Sequence, residues 1–205
     1  NFNLLYKYEL AYDITNEIVL GMCVKNDSIY LTGYLNSPGG LLMLKINDNG
    51  TSFTQEIFKN ITDSPAGTSW TATSYDIQLD SSNNIYIYGY VSGQIGYDSP
   101  DGGYDLFLIK FDSNGVEKWR KQFSANKSYD DLPWPNNLFI KNNRIFCAYR
   151  GVNESFTQWA IRVFELDIDG NIIKNYEYDT PSYQNQYDLC LDENFNIYTA
   201  SYDGV

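Results

Sequence analysis

At 205 residues the chain can bury a sizeable core, and its formal charge of −12 makes nucleic acid and anionic membranes poor partners, because both reward clustered Lys and Arg. It holds no histidine, which removes the commonest general base and metal ligand, and no stretch approaches the ~18 consecutive apolar residues that span a bilayer. Binding, scaffolding and carboxylate-based chemistry remain open.

Residues 2–8 (FNLLYKY) read as a strand left over from an earlier unit, and from there one pattern recurs. Met22-Cys23-Val24, a polar turn at Asn26-Asp27-Ser28, and Ile29-Tyr30-Leu31-Thr32-Gly33-Tyr34 predict a hairpin. A third strand, 41–46, runs into Asn47-Asp48-Asn49-Gly50, and a fourth ends on Phe58. The second unit repeats this with Ile77-Gln78-Leu79, Ile85 to Tyr90, 106–111, the turn Asp112-Ser113-Asn114-Gly115 and a fourth strand ending on Phe123. The third has Leu138-Phe139-Ile140, Ile145 to Tyr149, 161–166, Asp167-Ile168-Asp169-Gly170 and Tyr178. A fourth begins with Leu189-Cys190-Leu191 and Ile197 to Tyr202. In the turns an Asx side chain bonds amides ahead of it and glycine supplies a positive φ.

The unit is therefore a four-stranded antiparallel meander. Its second strand is apolar at both odd and even positions, where a sheet with one wet face would alternate. Burial on both faces is what a blade held between two others requires, so the expected fold is an all-β partial β-propeller. Its parts are a preceding or closing outer strand at 1–10, blades at 18–58, 75–123 and 136–178, and half a blade at 187–205. A sheet that stops mid-blade leaves a bare edge, so a longer chain is expected. Residues 2–8 could close a four-bladed ring, or further copies could complete a ring of six to eight blades.

The run Asp105-Leu106-Phe107-Leu108-Ile109-Lys110-Phe111-Asp112-Ser113-Asn114-Gly115, with Asn84-Ile85-Tyr86 before it and Trp119 after it, resembles the SBBP β-propeller repeat. The third unit departs from it, with Tyr149 in place of the strand glycine and Glu165 in place of the lysine. The resemblance implies a propeller in an extracellular or cell-surface protein and brings no catalytic residues.

Tight turns on one face leave the longer connections on the other, where binding residues usually sit. These loops hold Trp70, Tyr97, Tyr104, Tyr129, Asp130, Asp131, Trp134 and Trp159, suited to sugar stacking or a protein interface; some of these rings can instead cap the blades. Asp98, Asp101 and Asp105 lie within eight residues and offer oxygen ligands to a calcium ion, the one cofactor considered. Asp167-x-Asp169-Gly170 starts like a calcium loop, but its twelfth position is Tyr178, not glutamate. Sequons at Asn26, Asn49, Asn60, Asn126 and Asn153 fall in predicted turns or loops, where a glycan could attach. Cys23, Cys147 and Cys190, odd in number and set among apolar residues, predict buried free thiols. The expected function is a non-enzymatic extracellular structural or protein-interaction module, in a surface filament or adhesin, whose partners are proteins or glycans. The alternative is a carbohydrate-binding or carbohydrate-hydrolysing propeller.

Overall fold

The computed structural model describes residues 17–35, 40–50, 52–61, 71–95, 104–123, 137–152, 159–179 and 184–203. It is all-β there, with no helix among the described residues. Blade 1 comprises β1 (Glu17–Lys25), β2 (Ser28–Leu35), β3 (Gly40–Asp48) and β4 (Phe53–Ile61). Blade 2 comprises β5 (Thr71–Leu79), β6 (Ile85–Ser92), β7 (Tyr104–Phe111) and β8 (Glu117–Phe123). Blade 3 comprises β9 (Leu138–Lys141), β10 (Arg144–Val152), β11 (Trp159–Asp167) and β12 (Ile172–Asp179). A two-stranded sheet follows, β13 (Gln184–Leu191) and β14 (Ile197–Asp203). Among the described residues each strand pairs only with its neighbours in sequence, so every blade is a meander, and together the blades are those of a partial β-propeller. The expected outer strand at 1–10 lies outside the described residues.

The interiors lie between the blades. From β6, Ile85 and Ile87 join Tyr30, Leu41, Met43 and Ile57 of blade 1. The alternate residues Tyr86 and Tyr88 point the other way, onto Leu138, Ile145, Cys147 and Phe164 of blade 3. The continuous apolar run of this strand is thus explained by two dry faces, and each such side chain contributes about 2 kcal/mol of burial. Phe146, Ala148 and Val163 continue the stack onto Leu189. The first strands carry the packing from blade to blade: β5 lies on β1 to β3, β9 on β5, and β13 on β9 to β11.

Polar bonds tie each blade to the next. Ser74 Oγ donates to Gly33 O (2.6 Å) and lies 2.7 Å from Thr32 Oγ1. Tyr88 OH donates to Ala148 O at 3.0 Å. Lys25 Nζ donates to the carbonyl of Asp80 (2.7 Å), and Lys141 Nζ to that of Asp192 (2.8 Å). Lys110 Nζ reaches Ile168 O in the same manner, at 3.1 Å. Trp119 packs on the turn of blade 3, where a Cβ on Gly170 (φ 81) would sit 3.2 Å from its ring.

The first hairpins alternate in kind. Blades 1 and 3 turn on two residues, Asn26-Asp27 and Asn142-Asn143, and both asparagines of the second pair have positive φ. Blade 2 and the half blade use a longer turn built on one aspartate. Asp80 Oδ1 accepts from the amides of Ser82 and Asn84, while Oδ2 accepts from Asn84 Nδ2 and Tyr86 OH. Asp192 makes the same four bonds, to Asn194, Asn196 and Tyr198. Asp167, in the segment that begins like a calcium loop, accepts from the amides of Asp169 and Asn171.

Three details differ from the sequence reading. Phe58 pairs with Leu44, whereas Phe123 pairs with Leu106; the fourth strand of blade 1 runs on to Ile61, which pairs with Leu41 in the place of Phe123. Cys190 is exposed, not buried, because it alternates with Leu189 and Leu191, which pack on blade 3, and so lies on the other face of β13, whereas Cys147 is buried and Cys23 half-buried. Tyr198, its partner on β14, is 52% exposed although its counterpart Tyr86 is fully buried.

Blade 3 has Tyr149, and the half blade Ser201, where blades 1 and 2 have the strand glycine. In blades 1 and 2 the first strand bulges, at Val19/Gly21 and Ser74/Asp76, and its backbone crosses close to the second strand. A Cβ on Gly33 would lie 1.8 Å from Ile18 O, and one on Gly89 2.0 Å from Thr73 O. Among the described residues β9 pairs as far as Leu138–Cys147, with Ala148 N donating to Asn137 O beyond it, and shows no such bulge.

Candidate functional site

The loop ends of blades 1 and 2 bring four tyrosines together. Tyr34 is the penultimate residue of β2, Tyr90 lies near the end of β6, and Tyr104 opens β7. Tyr75 is the extra residue of the β5 bulge. All four are half-buried. The rings of Tyr75 and Tyr90 are 5.7 Å apart and tilted by 47°, and those of Tyr90 and Tyr104 are 4.9 Å apart and edge-on at 73°. Burial, with the phenols of Tyr90 and Tyr34 beside it, pushes the Tyr75 hydroxyl up to about 12, so it stays protonated at neutral pH.

The strand ends behind this cluster are pinned by side chains. Asp105 is buried, and its Oδ2 accepts from Gln122 Nε2 at 2.6 Å. Gln122 also donates to Gly93 O and accepts from Ile95 N, both at 3.0 Å. Arg120 Nη1 donates to Ile95 O at 3.1 Å while its fork grips Glu117. Both ends of the 96–103 loop are thereby fixed to β8, which holds Tyr104 in place.

Of the residues singled out from sequence, Tyr104 belongs to this cluster. Trp159 is the first residue of β11. Trp70, Tyr97, Tyr129, Asp130, Asp131 and Trp134 lie outside the described residues. So do Asp98 and Asp101, while Asp105 has one oxygen committed to Gln122. Among the described residues no group of three or more His, Cys, Asp or Glu is placed to hold a metal ion. Asn26 and Asn49 are exposed on hairpin turns and Asn60 lies within β4; Asn126 and Asn153 lie outside the described residues. Tyr34, Tyr75 and Tyr90 escaped the sequence reading because they lie in strands. Tyr34 and Tyr90 do share a signal: each stands five residues after the isoleucine that opens the second strand.

Among the described residues the most perturbed carboxylate is Asp76 on β5. Burial raises it to about 6, against the pull of its hydrogen bonds. Its Oδ1 accepts from Ile77 N at 2.7 Å, and its Oδ2 accepts from Leu138 N of blade 3 at 3.0 Å. A glycosidase acid must present an oxygen to the sugar, opposite a second carboxylate. Asp76 instead directs its oxygens at backbone amides and clamps two blades.

No family model matches the sequence, and no curated protein matches it either. Among solved structures the chain is similar to an endo-arabinase from Bacteroides thetaiotaomicron VPI-5482, with a TM-score of 0.50 and 10% identity over 88% of this chain and 68% of that one. At that identity the likeness concerns the path of the chain alone.

Proposed function

We propose that this chain is a non-enzymatic propeller module of an extracellular or cell-surface protein, which binds a partner through the loop ends of its blades. The observation that supports this is the convergence of four half-buried tyrosines from two blades on the loop face, while the most perturbed acid is spent on holding blades together. Tyrosine is suited to such a surface, since it gives a large rigid contact with a polar tip at low entropic cost. The SBBP-like run in blade 2 supports the surface setting and a place in a filament or adhesin.

The test is adhesion of the labelled chain to intact cells, run beside a reducing-end assay on a polysaccharide panel. Adhesion lost in Tyr34→Ala/Tyr104→Ala but kept in Asp167→Asn, on the opposite turn face, is expected, with no new reducing ends. Turnover of a polysaccharide would overturn the reading in favour of a carbohydrate-hydrolysing propeller.

A further inference from the structure

We infer that the β1–β2 side of blade 1, on the face turned away from blade 2, docks onto the half blade of a second copy of this chain, so that two copies join head to tail.

At the joints inside the chain, the first strand of a following sheet presents an apolar pair to the sheet before it. Ile77 and Leu79 of β5 share a core with Cys23 and Tyr30 of blade 1, and Leu189 and Leu191 of β13 share one with Phe139 and Phe146 of blade 3. By strand register the same pair on β1 is Met22 and Val24, which are 63% and 61% exposed. The receiving positions recur at the other end of the chain. Cys190 and Tyr198 face each other across β13 and β14 as Cys23 and Tyr30 do across β1 and β2, and both are exposed. One end thus offers the apolar pair and the other end the seat for it.

The two surfaces also match in width. Among the described residues of blade 1 the exposed large apolar side chains all lie on β1. Ile29 and Leu31 of β2 are half-buried, where their counterparts Ile85 and Ile87 are fully buried. Leu42 and Leu44 of β3, which alternate with the blade 2-facing Leu41 and Met43, are already covered. The open strip is therefore two strands wide, as is the half blade. Two strands are also the support that a following first strand needs, since β5 lies chiefly on β1 and β2.

The seat is set before anything arrives. Tyr198 OH donates to Asp192 Oδ2 at 3.2 Å, as Tyr86 OH does to Asp80 at 3.1 Å beneath blade 3, so docking demands little ordering of this ring. The kinds of turn agree as well. Blade 2, turning on Asp80, is followed by a blade with a two-residue turn; the half blade turns on Asp192, and blade 1 has the two-residue turn Asn26-Asp27 that suits the place after it. A contact between unlike surfaces closes into a ring when the rotation allows. Two copies bring together eight sheets, within the about four to eight blades around which propellers close, so a ring of two is the expected assembly.

The experiment is sedimentation velocity on the 205-residue chain from about 1 µM to about 1 mM, where one copy should give way to two. Met22→Lys and Tyr198→Lys change side chains that are exposed in the single chain, and each should weaken association about a hundredfold or more. Val116→Lys, at an exposed apolar residue beside the Asp112 turn, should leave it unchanged. Because the two surfaces are unlike, a mixture of the Met22 and Tyr198 variants keeps one intact joint and should give a dimer that neither variant forms alone. Labelling of Cys190, fast in the dilute chain, should slow as copies associate. If Tyr198→Lys lowers the urea midpoint, Ala200→Lys on the same face of β14 takes its place. A chain that stays single throughout, association lost in only one of the two variants or in neither, or a mixture that stays single overturns the inference.

Discussion

Replacing Gly89 by alanine puts a methyl group 2.0 Å from Thr73 O, 2.7 Å from Ser74 Cα and 2.9 Å from Phe107 Cζ. Phe107 can rotate away, but the other two atoms are backbone of the adjacent strand, and relief requires β5 to retreat by about 1 Å. That backbone is held. Ser74 is bridged to Thr32 and Gly33 O, and Asp76 to Leu138 N, so a retreat strains the joints to both neighbouring blades. Overpacking alone costs about 1–3 kcal/mol, and each buried hydrogen bond lost adds about 1 kcal/mol. The sum is about 3–4 kcal/mol, a drop in Tm of about 10 °C for a chain of this size. Gly50→Ala is the control. It has the left-handed φ of +83 but no atom within 4 Å of the added carbon, and should cost only about 1 kcal/mol. Urea denaturation followed by tryptophan fluorescence measures both. Equal costs, or Gly89→Ala within about 0.5 kcal/mol of wild type, would refute the crossing-backbone explanation of the strand glycines.

Asp76 releases its proton near 3.8 in the unfolded chain and near 6 in the folded one, so the folded state binds the extra proton between those values. Its contribution to stability should therefore fall as pH rises through that window, by about 3 kcal/mol, and stay level on either side. Asp76→Asn should flatten the difference between urea midpoints measured at pH 4 and pH 7; an unchanged slope would show that another group carries it. Lys110→Met keeps the apolar stem but loses the bond to Ile168 O and the cation over the Tyr86 ring, at a cost of about 1–2 kcal/mol by the same denaturation assay. Against an aromatic disulfide reagent the native chain should show one fast thiol, Cys190, since burial pushes Cys23 up to about 12 and Cys147 well above its usual range. Rapid labelling of buried Cys147 before urea is added would contradict the packing of blade 3 on blade 2.

The repeat was legible because its signals are local. Asp112 to Gly115 and Asp167 to Gly170 announce their turns through the spacing of a short acid and a glycine. The unbroken apolar run from Ile85 to Val91 announces a strand covered on both sides. The tyrosine site was legible only at Tyr104. Its other members lie on different strands of two blades; Tyr90 meets Tyr104 through the pairing of β6 with β7, and Tyr75 joins because β5 bulges there, a backbone irregularity without a strong residue signature. Cys190 looked like a core residue from its neighbours in sequence, but burial on β13 depends on which face is turned to blade 3, and Leu189 and Leu191 take that face.

The alternation of the first hairpins bears on how such a ring can change size. Lys25 and Lys141 stand 116 residues apart, and each grips the carbonyl of an aspartate that begins the longer turn of the following sheet, Asp80 and Asp192. Blades are thus laid down as unlike twins, one offering the ammonium group and the next receiving it. Duplicating or deleting a lone member would set like against like and place a lysine against a two-residue turn in place of the aspartate-built one it grips here. Copying the couple together preserves every grip, so copy number should grow by twos.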